Sequence, residues 1–305
     1  MQISPELQIQ GFYKLQIGNA ETGEIRETLE FSNLITNIGL DQIGTGAPVQ
    51  YCYVGSGNTT PAITDTKLSV FVAATSSALA NVDTKATAAP LWVGRAATYR
   101  FAAGVAAGNL SEIGMGWNGG TQANHLLFSH ALIKDGAGNP TTITVLANEF
   151  LDVTYEVRVY LPTDDVVFDG VTVYGNPHKL TVRGFQQLAG AQAGFALNGW
   201  GAHSVAGYSN FVLQAATAAT VVGSVNGSSS GTAIAYVTGS LKRGWVTTFA
   251  LGVGNNAAGI SGFALTTSNA YNSIPAFQIL VEPPIMKNNT KTLNLSCTWR
   301  WARKV

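Results

Sequence analysis

The sequence predicts an all-β protein, an antiparallel, jelly-roll-like β-sandwich with one or two short helices near the N-terminus. Three observations carry this. Clean period-two alternation occupies Leu151–Leu161 and Leu293–Trp301, 34 glycines divide the chain into short segments, and no apolar run approaches the ~18 residues of a membrane span.

The elements follow in order. Tyr13, Leu15 and Ile17 alternate with Lys14 and Gln16, and Asn19–Gly23 turns the chain into Ile25–Phe31, which reads as a hairpin. Asn33–Gly44 spaces Leu34, Ile35, Ile38 and Ile43 as a short helix and ends at glycine. Gly55–Pro61 is a loop, after which Thr64 or Asp65 is placed to cap a second helix carrying Leu68, Phe71, Val72 and Thr75 on one face. Leu126–Ile133 and Thr141–Ala147 flank Asp135–Pro140, whose glycines, Asn and Pro supply turn geometry, so a second hairpin is predicted. In Leu151–Leu161 the residues Leu151, Val153, Tyr155, Val157 and Val159 point one way, with Asp152, Thr154, Glu156 and Arg158 opposite. Thr163–Asp169 reads as a hinge between an N-terminal part, 1–165, and a C-terminal part, 166–305. A single interleaved sandwich is the alternative.

Composition narrows the function classes. Of 305 residues 17 are Lys or Arg and 17 Asp or Glu, so net charge is zero and 11% of the chain is charged, against roughly 25% in an ordinary soluble domain. With 46% apolar residues, disorder is excluded as the main state. Zero net charge lacks the footprint that phosphate neutralisation needs, so no nucleic-acid partner is expected. MQISPELQIQ has no basic region followed by an apolar one, so neither a signal peptide nor membrane insertion is expected. Cys52 and Cys297 have no zinc or CxxC spacing and read as buried small apolar residues. Gly184–Val281 stands apart: Lys242 and Arg243 are its only charges. Interface cores are poor in charge and rich in aromatics, so this stretch reads as an intersubunit or partner-facing region.

No catalytic constellation is visible. Asp152 and Glu156 share a strand face and are the best carboxylate pair for glycoside hydrolysis, although a solvated face with Arg158 nearby explains them as well. Asp164, Asp165 and Asp169 cluster in a turn but depart from calcium-loop spacing. His125, His130, His178 and His203 show no HExxH pattern, Gly55–Gly57 lacks the Gly-Lys-Ser/Thr of a phosphate loop, and no G-x-S-x-G occurs. No metal, cofactor or enzyme activity is therefore expected. Trp200, His203, Tyr208 and Asn210, in NGWGAHSVAGYSN, and Trp245 mix aromatics with Asn and Gly as sugar-stacking or subunit-contact surfaces do; anchoring of the core is the alternative.

Several segments taken together resemble a pattern of tailed-bacteriophage structural proteins, especially small proteins of tails and tail fibres. They are the opening hairpin leading into FSNLITNIGLDQIGTG, then YVGSGNTTPAITDTKL, LSEIGMGW, LFSHALIKDGAGNPTTITVLANEFLDVTYEVRVYLP, and the closing PPIMKNNTKTLNLSCTWRW. The resemblance spans about the first 165 residues and the last 30. It implies a non-enzymatic virion component made in a bacterial cytoplasm, a fibre- or tip-associated homo-oligomer, trimeric or on a ring. Its partners would be other tail proteins and a host-surface glycan or protein. A capsid-decorating or collar protein is the runner-up. A glycan-degrading tail enzyme and a lectin-like module are the alternatives of other classes.

Overall fold

The computed structural model describes residues 2–3, 6–45, 49–86, 90, 92–160, 164–184, 208–214, 224–268 and 273–304. The all-β expectation holds. In chain order come β1 (Gln2–Ile3), β2 (Glu6–Asn19), β3 (Ile25–Ser32), β4 (Leu34–Ile35), α1 (Asn37–Thr45), β5 (Tyr51–Gly55), β6 (Phe71–Thr75), β7 (Ala78–Lys85), β8 (Trp92–Phe101), β9 (Gly108–Leu110), β10 (Glu112–Trp117) and β11 (Leu126–Leu132). There follow β12 (Ile143–Val145), β13 (Glu149–Tyr160), β14 (Val166–Val173), β15 (Asn176–Gly184), β16 (Tyr208–Gln214), β17 (Ser224–Ser230), β18 (Thr232–Ala233), β19 (Lys242–Phe249), β20 (Ile260–Ser268), β21 (Ser273–Ile285) and β22 (Leu293–Arg303).

The largest sheet has nine strands, in the order β18-β19-β22-β2-β13-β8-β7 with β1 beside β22 and β3 beside β2. A second sheet runs β4-β11-β10-β5-β6, a third β14-β15-β21-β20-β16-β17, and β9 and β12 form a two-stranded ribbon. One face of the large sheet carries Leu7, Ile9, Tyr13, Leu15 and Ile17 of β2, the odd-numbered residues of β13 from Leu151 to Val159, and Leu293, Leu295, Cys297, Trp299 and Trp301 of β22, all buried. The five-stranded sheet packs over one part of this face: Tyr13 Oη and Ser129 Oγ hydrogen bond at 2.9 Å, and Phe128 meets Tyr155 edge-on. The six-stranded sheet covers another part, where Phe249 and Phe263 lie 5.7 Å apart. A single apolar cluster runs through all three sheets.

One expectation changes here. The sheet is not purely antiparallel, because β22 runs parallel to both β1 and β2, pairing Glu6 with Arg300 and Ile9 with Arg303. Parallel neighbours need a long crossover, and here almost the whole chain serves as one. Strands from both sides of residue 165 lie side by side in this sheet.

The first hairpin forms as expected, with Asn19 Oδ1 accepting from the amides of Glu21 and Thr22 and Gly23 at φ 74°. The helix begins later than its spacing suggests: Leu34–Ile35 pairs with β11, Thr36 Oγ1 caps the first turn by accepting from Gly39 N at 2.9 Å, and Arg243 donates to the Gly44 carbonyl at 3.0 Å. Gly39 has a packing reason, because a Cβ there would sit 2.1 Å from the Phe128 carbonyl oxygen. The second helix does not exist. Residues 56–70 are a loop and Phe71–Thr75 is strand β6. The predicted second hairpin keeps its turn, with a bridge between Lys134 and Pro140, but β12 then leaves to pair with β9. Among the described residues no helix is long and apolar enough to cross a membrane.

Candidate functional site

The most chemically distinctive place in the molecule is a buried ionic cluster on the five-stranded sheet. Glu112 opens β10 and is 0% exposed; His130 lies on the neighbouring β11 and is 2% exposed. Their strands are held in register by the backbone, and Asp65 reaches them from the 56–70 loop. His130 Nδ1 is 2.7 Å from Asp65 Oδ2 and Nε2 is 3.1 Å from Glu112 Oε2. Both ring nitrogens therefore face carboxylate oxygens, an arrangement that requires the doubly protonated imidazolium.

Glu112 also organises the loop. Its Oε1 accepts from Gly57 N at 3.1 Å and Val70 N at 2.7 Å, its Oε2 accepts from Ser69 N at 3.0 Å, and the Ser69 hydroxyl lies 3.0 Å from both oxygens. Asp65 accepts from Ala62 N at 2.8 Å. That bond and the ion pair with His130 occupy the side chain expected to cap a helix, and the Leu68 amide goes to His125 Nε2 at 2.9 Å. His125 is thereby fixed as the neutral tautomer, its Nδ1 donating to the Thr121 carbonyl. Gly57 belongs to this clamp and not to any phosphate loop, since a Cβ would fall 1.7 Å from Ser69 Oγ and 2.4 Å from Glu112 Oε1. Fifteen residues without regular structure are thus pinned at both ends and in the middle, while Asn58, Thr59, Thr60, Ala62, Ile63 and Thr64 stay exposed.

The protonation states follow from these contacts. Burial pushes Glu112 up, but hydrogen bonds from His130, Val70 and Ser69 outweigh it and hold the carboxyl at about 2. Burial pushes His130 down, and the hydrogen bonds and charges of Glu112 and Asp65 outweigh it, so its pKa is raised. A raised histidine contributes stability that is complete below its unfolded value of 6.5 and is lost as pH rises through the folded value. Glu112 contributes the opposite way, losing stability only as pH falls below its unfolded 4.5 towards about 2. His125, pushed down chiefly by burial, loses stability as pH falls through 6.5. The expected result is a stability gap between wild type and His130→Gln that is widest near pH 5.5 and narrows as pH rises above 6.5. Urea denaturation across pH 5 to 9 measures it; a gap that widens with pH would refute the charged imidazolium.

In chemical terms the cluster is a staple. Neither nitrogen of His130 is open to take a proton from a substrate, and Ser69 Oγ donates to the Glu112 carboxylate, which at a pKa of about 2 is a weak base. Among the described residues no three His, Cys, Asp or Glu side chains are placed to hold a metal ion.

The residues singled out from the sequence are distributed elsewhere. Asp152 is held by Arg100 through two 2.7 Å bonds across adjacent strands, and Glu156 pairs with Arg158, whose guanidinium lies over the rings of Phe12 and Trp92. Four residues along a strand place the Cα atoms of Asp152 and Glu156 about 14 Å apart. Each carboxylate is neutralised by an arginine of its own, Asp152 by Arg100 and Glu156 by Arg158. Asp165 pairs with Arg183, and His178 Nδ1 lies 2.6 Å from the Pro283 carbonyl oxygen. Cys52 and Cys297 are buried and free, as expected. Trp245 corrects the surface reading, being 1% exposed and packed in the core opposite Cys297. Tyr208 and Asn210 lie on β16 between β17 and β20; Trp200 and His203 lie outside the described residues.

Glu112 went unnoticed in the sequence although a signal was there. It is the only Asp, Glu, Lys or Arg between Arg100 and Lys134, set in the apolar run LSEIGMGW, and a lone acid in a buried strand needs a partner. Compared with protein families, with curated proteins and with solved structures, the chain shows no match.

Proposed function

We propose that this chain is a non-enzymatic structural component of a tailed-bacteriophage virion, a tail-fibre- or tail-tip-associated protein that self-associates and contributes to assembly and host attachment. The observation that supports the reading is the convergence of the segments that carry the resemblance. Asp65 comes from YVGSGNTTPAITDTKL, Glu112 from LSEIGMGW and His130 from LFSHAL, and these three side chains bind one another in one buried cluster. FSNLITNIGLDQIGTG supplies β4 and α1 against the same sheet, with Asn37 N donating to the Ile63 carbonyl at 2.7 Å. Segments scattered over a hundred residues thus form one unit, as an ordered family pattern requires. The rigid exposed loop and the outer face of the large sheet are the natural contact surfaces.

Mass spectrometry of gradient-purified particles, from a host carrying the encoding phage, tests the reading. The chain is expected in the particle at a fixed multiple of the tail proteins. Its absence from particles, with the protein abundant in the lysate, would overturn the proposal.

A further inference from the structure

Two histidines tie the 56–70 loop to the five-stranded sheet, and their bonds demand opposite protonation states. His125 Nε2 accepts from the Leu68 amide while Nδ1 donates to the Thr121 carbonyl, so this ring holds the loop only while neutral. His130 turns Nδ1 to Asp65 and Nε2 to Glu112, so it holds the loop only while doubly protonated. A proton added to His125 would set an N–H against the Leu68 N–H, and a proton taken from His130 would set a lone pair against a carboxylate.

The groups around each ring agree with this division. His130 is faced by Asp65 from the loop and by Glu112 from β10, and Lys134 lines the same cleft. His125 is faced by Lys67, whose ammonium donates to the Gln122 and Ala123 carbonyls, by Glu112 at longer range, and by the rings of Tyr53 and Phe71 at 5.0 and 5.3 Å. Burial pushes both rings down. At His125 it prevails, with Lys67 adding to it, whereas at His130 the two carboxylates outweigh it. The tie at His125 therefore weakens as pH falls below 6.5, and the tie at His130 weakens as pH rises above 6.5.

The structure also says which part lets go. Glu112 is locked by the amides of Gly57, Ser69 and Val70, but Asp65 is 25% exposed and holds one amide, that of Ala62. When His130 loses its proton, Asp65 is the carboxylate that leaves, and the turn from Ala62 to Asp65 loses its cap. When His125 gains one, the Leu68 amide loses its acceptor. The bonds from Asn37 N to the Ile63 carbonyl and from Leu127 N to the Thr66 carbonyl involve no titrating group, so each release is local.

We propose that the 56–70 loop is a pH-gated element, fully tied down only in a band around pH 6.5, and released at Leu68 on the acid side and at Asp65 on the basic side. Its exposed tip, 58–64, is one fixed surface only inside that band. The gate is independent of the virion reading, since it needs nothing outside this chain.

Amide hydrogen exchange of the full chain from pH 4.5 to 9.5, expressed as protection factors to remove the intrinsic pH dependence, tests the gate. Linkage makes each loss about tenfold per pH unit between 6.5 and the folded value of the histidine concerned. The Leu68 amide is expected to lose protection towards acid and the Ala62 amide towards base, each by tenfold or more, while the Gly57 amide keeps its own. His125→Gln, whose side-chain oxygen still accepts from Leu68 N, is expected to abolish the acid limb alone, and His130→Gln the basic limb alone. Flat protection in wild type, parallel loss at Gly57, or a limb that survives replacement of its histidine overturns the proposal. Nitrogen NMR of the imidazoles at pH 6.5 needs no variant: His125 is expected as the neutral Nδ1–H tautomer and His130 as the imidazolium. Both rings in one state, or the reverse assignment, overturns it equally.

Discussion

Glu112→Ala is expected to destabilise the protein by about 3–5 kcal/mol, the range for breaking a buried ion pair by removing one partner. The change leaves the His130 imidazolium buried without one of its two counter-charges and releases the amides of Gly57, Ser69 and Val70 at once. Desolvating an ion is costly, and the cost is offset here only while the cluster is complete. Glu112→Gln keeps the shape and one acceptor oxygen but turns an NH2 towards amides that are donors, so it is expected to fall between Ala and wild type. Urea denaturation at pH 6 measures both. A second readout separates the clamp from simple loss of packing: without Glu112 the burial of His130 is less opposed, and its pKa, followed by NMR of the ring protons, is expected to fall. An unchanged His130 titration in a folded Glu112→Ala protein would show that the pair is not coupled.

Trp245→Ala is expected to cost a similar about 3–5 kcal/mol, through a cavity where the indole packs opposite Cys297 in β22. Trp245→Phe, which fills much of the same volume, is expected to cost clearly less. The outcome discriminates between two roles for this residue: a core tryptophan lowers the denaturation midpoint, whereas a contact residue leaves the midpoint alone and weakens attachment. A midpoint for Trp245→Ala within about 0.5 kcal/mol of wild type, the range of ordinary surface substitutions, would restore the contact role.

The same residue shows where sequence reading reaches its limit. Gly184–Val281 is nearly free of charge, which can mean a surface hidden by a partner or a segment buried by its own chain. Trp245, Phe249, Phe263 and Ile279 are each at most 1% exposed, whereas Ile234, Val237 and Leu251 are exposed, so the described part of the stretch holds charge-free residues of both kinds. Composition averages over a segment; exposure is decided residue by residue when sheets are stacked.

Periodicity served well where both faces of a strand differ. Leu151–Leu161 and Leu293–Trp301 alternate because one side meets the core and the other carries Arg100, Arg158 and their partners, and such strands announce themselves. Leu68–Thr75 misled because four residues at helical spacing are also four residues of a loop followed by a strand, and the deciding groups, Glu112 and His125, lie over forty residues away.

The sequence by itself determined the class of fold, the first hairpin, the short helix, the two long alternating strands and the inert burial of both cysteines, all of which depend on neighbours in the chain. Only the tertiary structure decided that β22 runs parallel beside β2, that Asp65, His130 and Glu112 form one ionic staple, that Asp152 and Glu156 are each bound to an arginine, and that β6 and β7, adjacent in the chain, belong to different sheets. Those facts depend on which strands are placed side by side, a pairing set by the burial of one shared apolar face, on which the local pattern of any single segment is silent.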